Sequence, residues 1–139
     1  PDPTYTKVNT ERTGHAEAVQ VYYNPDAVSY AELINVYFGS QDPTQINGQG
    51  PDIGSSYRSI IFYRTAEEKE TAENAKATLS LSGRYEKPIG AESLPITDFY
   101  EAEDYHQDYE HKHSNNPYIR TVSVPRLNHF KKMFPELLK

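Results

Sequence analysis

The stretch NGQGPDIGSSYRSIIFY, residues 47–63, decides how the rest of the chain is organised. Three glycines and a proline within residues 48–54 interrupt both helices and strands, so the first half predicts a long polar loop. The apolar run at residues 60–63 predicts a strand. Asp52, Tyr57 and Arg58 lie where the loop meets this strand, which is a common way to build a site. A plain connecting loop, with Arg58 paired to a surface acid, is the alternative interpretation.

The composition limits the class of protein. A length of 139 residues predicts a single domain with a core of its own. A net charge of −6 argues against binding nucleic acid or an anionic membrane through bulk electrostatics. No apolar run is long enough to span a membrane and no signal peptide opens the chain, so we expect a cytoplasmic protein. The chain contains no cysteine, so it cannot supply a disulfide or a thiol itself.

Two capping boxes predict two helices. The box at residues 29–32, SYAE, starts a helix that ends at Gly39. The box at residues 65–68, TAEE, starts a helix that runs to Leu81, with Gly83 as its stop. The alanines and leucine of this second helix would let it lie close against a sheet.

Three further segments have strand-like patterns. Val19, Val21 and Tyr23 alternate with other residues at the period of a strand over residues 18–23. Residues 87–96 contain a possible edge strand between two prolines, and residues 119–124 are a short β-like run.

The C-terminal part predicts two more helices. A short helix over residues 104–112 would place His106 and Tyr109 on one face. A last helix, from about residue 125 to residue 134, would turn Leu127, Phe130 and Phe134 inward. The alternation of strands and helices favours a two-layer α+β domain, with helices packed on a mainly antiparallel or mixed sheet.

Two groups of residues are candidates for chemistry beside the loop. Glu17 begins the first predicted strand, where burial would favour the neutral, proton-donating form of a carboxyl group; a solvated edge residue is the alternative. His106, His111 and His113, with acids between them, suggest metal ligands. Their spacing does not suit one helical face and matches no zinc motif, so a solvated, charged helix end is the favoured interpretation.

Four segments resemble the type A peptide methionine sulfoxide reductases, in the order of that family. They are TGHAEAVQVYYNP at residues 13–25, SYAELINVYF at 29–38, DPTQINGQGPDIGSSYRSIIFY at 42–63 and FYEAEDYHQDY at 99–109. These motifs are long and cover nearly the whole chain. The resemblance implies an α/β domain with a ferredoxin-like core, and reduction of methionine-S-sulfoxide, free or in oxidised proteins. It implies no cofactor and no metal, a monomer, and thioredoxin or another thiol as reductant.

The resemblance also implies roles for four residues near the loop. Glu17, in the GHAE motif, would protonate the sulfoxide oxygen. Tyr5, in the PTY motif, and Tyr57, in the YRS motif, would hold that oxygen. Asp52 would order the polar network around them and its water.

The substrate pocket implied by the resemblance comes from later residues. His106 and Tyr109, in the HQDY motif, would line it, and Tyr118 would be a further pocket residue. The nucleophile of this family is a cysteine in a GCFW-type motif on a first strand, before the PTY tyrosine, and this sequence does not contain it. We therefore expect residues 1–139 to be one reductase-like domain without that strand. A binding module that retains the pocket but not the chemistry is the alternative.

Overall fold

A computed structural model describes residues 3–137 of the chain. The structure divides into two compact units, one reaching Tyr100 and the other beginning at Glu101. The regular elements of the first unit are, in order, α1 (Tyr5–Val8), α2 (Tyr30–Gly39), β1 (Gly48–Gln49), β2 (Asp52–Ile53), a 3-10 turn (Ser55–Tyr57), β3 (Ile60–Tyr63), α3 (Ala66–Leu81) and β4 (Glu92–Pro95). Those of the second unit are a 3-10 turn (Asp104–His106), α4 (Tyr109–Lys112), a π-helical stretch (Ile119–Ser123), α5 (Val124–Met133) and a last 3-10 turn (Pro135–Leu137).

The predicted α+β class is confirmed, and the strand pairing is mixed. In the first unit β1 and β2 form an antiparallel ladder, in which Gly48 pairs with Ile53. The strands β3 and β4 form a parallel ladder, with Ile60 opposite Glu92. The strand β4 confirms the edge strand expected within residues 87–96. It reaches a parallel register with β3 through the long helix α3, as parallel neighbours require.

Both capped helices form where the sequence predicts them. Ser29 accepts a hydrogen bond from the backbone N–H of Glu32, and the Glu32 carboxylate accepts one from the backbone N–H of Ser29. At the start of α3 the Thr65 hydroxyl accepts from the backbone N–H of Glu68, while the Glu68 carboxylate accepts from the backbone N–H of Arg64. Each helix therefore begins with backbone donors satisfied by side chains.

The core of the first unit lies between these two helices and the parallel ladder. It consists of six buried residues: Ile34, Phe38, Ile61, Ala72, Ile89 and Ala91. Ala72 is completely buried, so the small side chains of α3 let that helix approach the ladder closely, as the sequence predicts. The core fixes β3, and β3 in turn anchors the C-terminal end of the polar loop.

The strand predicted over residues 18–23 does not form, and this prediction was wrong. Val19 and Tyr22 are each 88% exposed, and Val21 is 57% exposed. A strand requires a neighbour for its backbone hydrogen bonds. Within the described part of the chain, no strand pairs with this segment. Glu17 consequently does not stand at the head of a strand, and its side chain is exposed.

The single helix predicted over residues 104–112 is interrupted in the second unit. Gln107 has extended backbone angles and Asp108 has a left-handed φ of 55°. The chain therefore makes a 3-10 turn and a separate, four-residue α4. The predicted face that combined His106 and Tyr109 at helical spacing is not formed.

The β-like run predicted at residues 119–124 is helical, so the prediction of a strand there was wrong. Pro117 begins the helical segment, and the Asn116 side chain accepts a hydrogen bond from the backbone N–H of Tyr118 at 2.9 Å. An Asn cap followed by proline favours a helix start over the β-propensity of the branched residues after it. The π-helical stretch ends at Ser123, two residues before Pro125, which has no N–H to donate.

The last predicted helix is confirmed as α5 (Val124–Met133). Phe130 and Phe134 stack at a centroid distance of 4.9 Å and are half-buried. Leu127 is 50% exposed, so the expectation that it turns inward was wrong. In the part of the chain that the structure describes, no helix is both long enough and apolar enough to cross a membrane.

Candidate functional site

The turn at residues 54–58 carries Tyr57, the phenol predicted to hold an oxygen atom. The backbone N–H of Gly54 donates to the carbonyl oxygen of Asn47 at 2.9 Å, and that of Tyr57 donates to the carbonyl oxygen of Gly54 at 3.1 Å. Ser56, directly before Tyr57, is 1% exposed. The glycine-rich loop is therefore closed by its own backbone bonds, and it presents Tyr57 from a buried base.

Residues 11–17 lie against this turn although they form no regular element. The backbone N–H of Glu17 donates to the carbonyl oxygen of Ser56 at 2.8 Å. At the other end of the segment, the Glu11 carboxylate accepts hydrogen bonds from Ser55 and Ser56. Both ends of this stretch are thus bound next to Tyr57.

Arg58 holds the same segment from the other side. Its guanidinium donates to the carbonyl oxygens of Ser55 at 2.6 Å, Gly14 at 3.1 Å and His15 at 3.5 Å. It also forms an ion pair with Glu92 of β4, at 3.6 Å. A guanidinium offers five donors in a fixed plane, which suits several carbonyl oxygens at once. Arg58 therefore does pair with an acid, but its hydrogen bonds go to backbone carbonyl oxygens of residues 11–17 and of its own turn, and so hold these two segments together.

The electrostatics of Tyr57 show which of the predicted residues meet there. Burial is the largest cause of a raised pKa at the Tyr57 phenol. Negative charge on four neighbours raises that pKa further, in the order Glu17, Tyr5, Asp52 and Glu11. Tyr57 and these neighbours therefore lie within electrostatic reach of one another in one unit, and Tyr57 remains a protonated donor at neutral pH.

Tyr5 and Asp52 reach this group from short elements. Tyr5 is the first residue of α1. Thr4 caps this helix, because its hydroxyl accepts a hydrogen bond from the backbone N–H of Lys7 at 3.4 Å. Asp52 is a half-buried residue of β2, opposite Gln49. The constellation can hold a polar oxygen among hydroxyl donors next to a carboxyl group.

The residues predicted to line a substrate pocket lie in the second unit. His106 is half-buried, and its ring lies 4.2 Å from that of Tyr105. Tyr109 stacks on His113 at 4.1 Å and is 38% exposed, while Tyr118 is 42% exposed. They are aromatic groups with polar tips, and their role in lining a substrate pocket stays a prediction.

The histidine-rich segment does not gather into a ligand set. A nitrogen of the His113 ring lies 2.9 Å from the carbonyl oxygen of Tyr109, within its own turn. Among residues 3–137, no group of three or more histidine, aspartate and glutamate side chains could hold a metal ion. A separate depression is lined by Asp42, Thr44 and residues 84–87. It shares no residue with the group around Tyr57, and we assign it no role.

Sequence reasoning missed Glu11. Its side-chain hydrogen bonds are with residues more than forty positions away, and its backbone has a left-handed φ of 59°. Neither property follows from a local pattern. The one available signal was the pair of serines before Tyr57, whose hydroxyls need an acceptor when they are buried.

Comparisons with known proteins agree on one family. A family model described as peptide methionine sulfoxide reductase matches residues 1–138. The chain is 44% identical over 140 residues to the peptide methionine sulfoxide reductase MsrA of Sulfolobus acidocaldarius, covering 98% of this chain and 76% of that protein. It is 45% identical over 139 residues to the protein of the same name from Thermus thermophilus, covering 100% of this chain and 78% of that protein.

Solved structures agree with the sequence comparisons. The crystal structure of reduced Mxr1 from Saccharomyces cerevisiae superposes with a TM-score of 0.74 at 36% identity, over 84% of this chain and 64% of that one. Methionine sulfoxide reductase A of Corynebacterium diphtheriae superposes with a TM-score of 0.71 at 35% identity, over 84% of this chain and 59% of that one. The chain therefore spans about three quarters of the two curated relatives and less than two thirds of these solved chains.

Proposed function

Because this chain belongs to the peptide methionine sulfoxide reductase family, we propose that it takes part in reducing methionine-S-sulfoxide to methionine, free or in oxidised proteins. In this proposal the first unit supplies the proton donor and the hydroxyls that hold the sulfoxide oxygen. The observation that carries it is the bond from the Glu17 backbone N–H to the Ser56 carbonyl oxygen, at 2.8 Å, which brings the Glu17 segment to the Tyr57 turn.

Glu17 acts in this proposal as the general acid. A thiolate attacks the sulfoxide sulfur while a proton reaches the oxygen, so that the oxygen becomes bonded to the attacking sulfur. Methionine leaves, and the thiol is left as a sulfenic acid. Two reducing thiols, of thioredoxin or another donor, then restore it and release water with formation of a disulfide.

Tyr57 and Tyr5 hold the oxygen during this step. Burial and nearby negative charge raise the pKa of the Tyr57 phenol, so it donates a hydrogen bond without losing its proton at neutral pH. Asp52 orders the polar groups around them. The binding of substrate by His106, Tyr109 and Tyr118, which the family resemblance implies, stays a prediction.

The attacking thiol comes from outside the 139 residues in this proposal, because the sequence contains no cysteine. The same fact favours a second candidate function, a module that binds methionine sulfoxide without reducing it. That the protein acts as a monomer in the cytoplasm stays a prediction.

A turnover measurement on the protein purified from its natural source distinguishes the two functions. The S and R epimers of N-acetylmethionine sulfoxide would be incubated with it and dithiothreitol, and its intact mass compared with 15.9 kDa. Reduction of the S epimer alone, by a protein with a larger mass and a cysteine, supports the reductase. Saturable binding of the S epimer in a calorimetric titration, without turnover, would instead support the binding module.

A further inference from the structure

We propose that Glu11 is a positioning residue that fixes the Tyr57 turn relative to Glu17. The proposal rests on the function proposed above, in which Tyr57 and Glu17 act on one oxygen atom. Glu11 itself touches neither the substrate nor the reacting atoms, and it acts through Ser55 and Ser56.

Three hydrogen bonds join the Glu11 carboxylate to the turn. One oxygen, Oε2, accepts from the Ser55 hydroxyl at 2.7 Å and from the Ser56 backbone N–H at 2.8 Å. The other oxygen, Oε1, accepts from the Ser56 hydroxyl at 2.6 Å. Hydrogen bonds to an ionised acceptor are short and about twice as strong as neutral ones, and these distances lie in that range.

The backbone conformations of Glu11 and of Gly54, which precedes Ser55, suit this contact. Glu11 has a φ of 59°, a conformation that is costly for a residue with a side chain and that persists where surrounding contacts hold it. Gly54 has a φ of 150°, and a Cβ there would lie 2.5 Å from Oε1 and 2.7 Å from Cδ of Glu11. The carboxylate therefore occupies space that only a glycine leaves open.

The charge state of Glu11 fits a permanent acceptor. The hydroxyl of Ser56, followed by that of Ser55, lowers the pKa of this carboxyl group from 4.5 to about 2. It is fully ionised at neutral pH and can accept all three bonds without a proton of its own.

Ser56 is the residue through which Glu11 acts. Its N–H and hydroxyl donate to Glu11, while its carbonyl oxygen accepts from the backbone N–H of Glu17. Both ends of residues 11–17 are thus bonded to one residue, and Tyr57 follows it directly. If Glu11 released Ser56, the peptide could rotate and change the distance between Tyr57 and Glu17. A small misplacement of reacting groups is costly in rate.

The test compares three variants of the natural, full-length protein in reduction of the S epimer of N-acetylmethionine sulfoxide by dithiothreitol. Glu11→Gln preserves the bonds, because its carbonyl oxygen accepts from Ser55 and the Ser56 N–H while its amide donates to the Ser56 hydroxyl. Glu11→Ala removes them. Glu11→Gly also removes them but tolerates the positive φ, so it separates loss of the bonds from backbone strain.

We expect kcat to fall about tenfold in Glu11→Ala and in Glu11→Gly, with KM changed by less than about twofold. Glu11→Gln should remain within about threefold of the unchanged protein. The proposal is overturned if kcat in Glu11→Gly equals that of the unchanged protein, or if Glu11→Gln loses as much activity as Glu11→Ala.

A second measurement needs no turnover and therefore separates this proposal from the proposed function. The phenol of Tyr57 is titrated by NMR in the same variants. Glu11→Gln removes one negative charge near Tyr57 and keeps the bonds, whereas Glu11→Ala also frees the turn. We expect Glu11→Ala to lower the pKa of Tyr57 further than Glu11→Gln does. Equal values would overturn the positioning role, whereas an inactive natural protein would overturn only the proposed function.

Discussion

Two consecutive segments of the first unit contrast in how they are held. Residues 11–17 have no regular structure and little apolar character, yet they are bonded to the turn at residues 54–58 through Glu11, Glu17 and the guanidinium of Arg58. Residues 18–23 have the alternating apolar pattern of a strand, yet Val19 and Tyr22 are each 88% exposed.

The difference shows that a partner, and not propensity, orders a segment of this chain. A polar segment becomes fixed when its carbonyl oxygens and carboxylates meet donors from a buried turn. A β-prone segment stays exposed and without regular structure where no neighbouring strand meets it. Glu17 of the candidate site lies in the first kind of segment, so its position relative to Tyr57 depends on a few identifiable bonds.

The largest effect on the reaction rate is expected at Glu17, the last residue of the segment 11–17. Glu17→Gln should lower the single-turnover rate of the full-length protein by about 100-fold or more, because an amide cannot supply the proton. Glu73→Gln, an exposed change on α3, is the matched control and should leave the rate unchanged. An unchanged rate in Glu17→Gln would contradict the role of general acid.

The bonds made by Arg58 should contribute strongly to stability. Arg58→Met keeps much of the apolar side chain but removes donors to the carbonyl oxygens of Gly14 and Ser55, and should lower the free energy of unfolding by about 2 kcal/mol. Arg64→Met is the control, since the Arg64 side chain is 73% exposed and forms an ion pair with Glu68, four residues along the chain, at 3.5 Å. The control should cost less than about 0.5 kcal/mol. Equal costs, measured by denaturant unfolding, would show that Arg58 does not hold the segment.

A smaller effect is expected at Tyr57. Tyr57→Phe should slow the single-turnover step about tenfold, equivalent to about 1.4 kcal/mol, because a second hydroxyl still holds the oxygen. Tyr22→Phe, at an exposed residue whose hydroxyl donates to the nearby Gln20 side chain at 3.0 Å, should leave the rate unchanged. A loss at Tyr57 as large as that in Glu17→Gln would mean that the phenol, not the carboxyl group, supplies the proton.

The smallest effect is expected in the exposed segment. Val21→Thr should change the free energy of unfolding of the 139-residue chain by less than about 0.5 kcal/mol, because the side chain is 57% exposed. Ile61→Val, in the core at 6% exposure, should cost about 1 kcal/mol under the same conditions. A cost above about 1 kcal/mol for Val21→Thr would show that residues 18–23 are buried in the folded chain. It would remove the contrast between the two segments.

Much of the first unit could be predicted because its signals are local. Caps at Ser29 and Thr65 fixed the starts of two helices, and the apolar run at residues 60–63 fixed β3. The errors came where two local signals competed. Around residues 116–124 an Asn-Pro cap won over β-branched side chains, and Asp108 took a left-handed conformation that divided a predicted helix.

The sequence by itself determined the family motifs, the two capped helices and the residue types available for chemistry. These depend on neighbours within a few positions along the chain. Only the tertiary structure decided that Glu11 would bond to Ser56, that Arg58 would hold Gly14, and that Glu17 would meet the turn of Tyr57. Those contacts join residues about forty positions apart and depend on backbone angles that no local pattern encodes, such as the left-handed φ of Glu11.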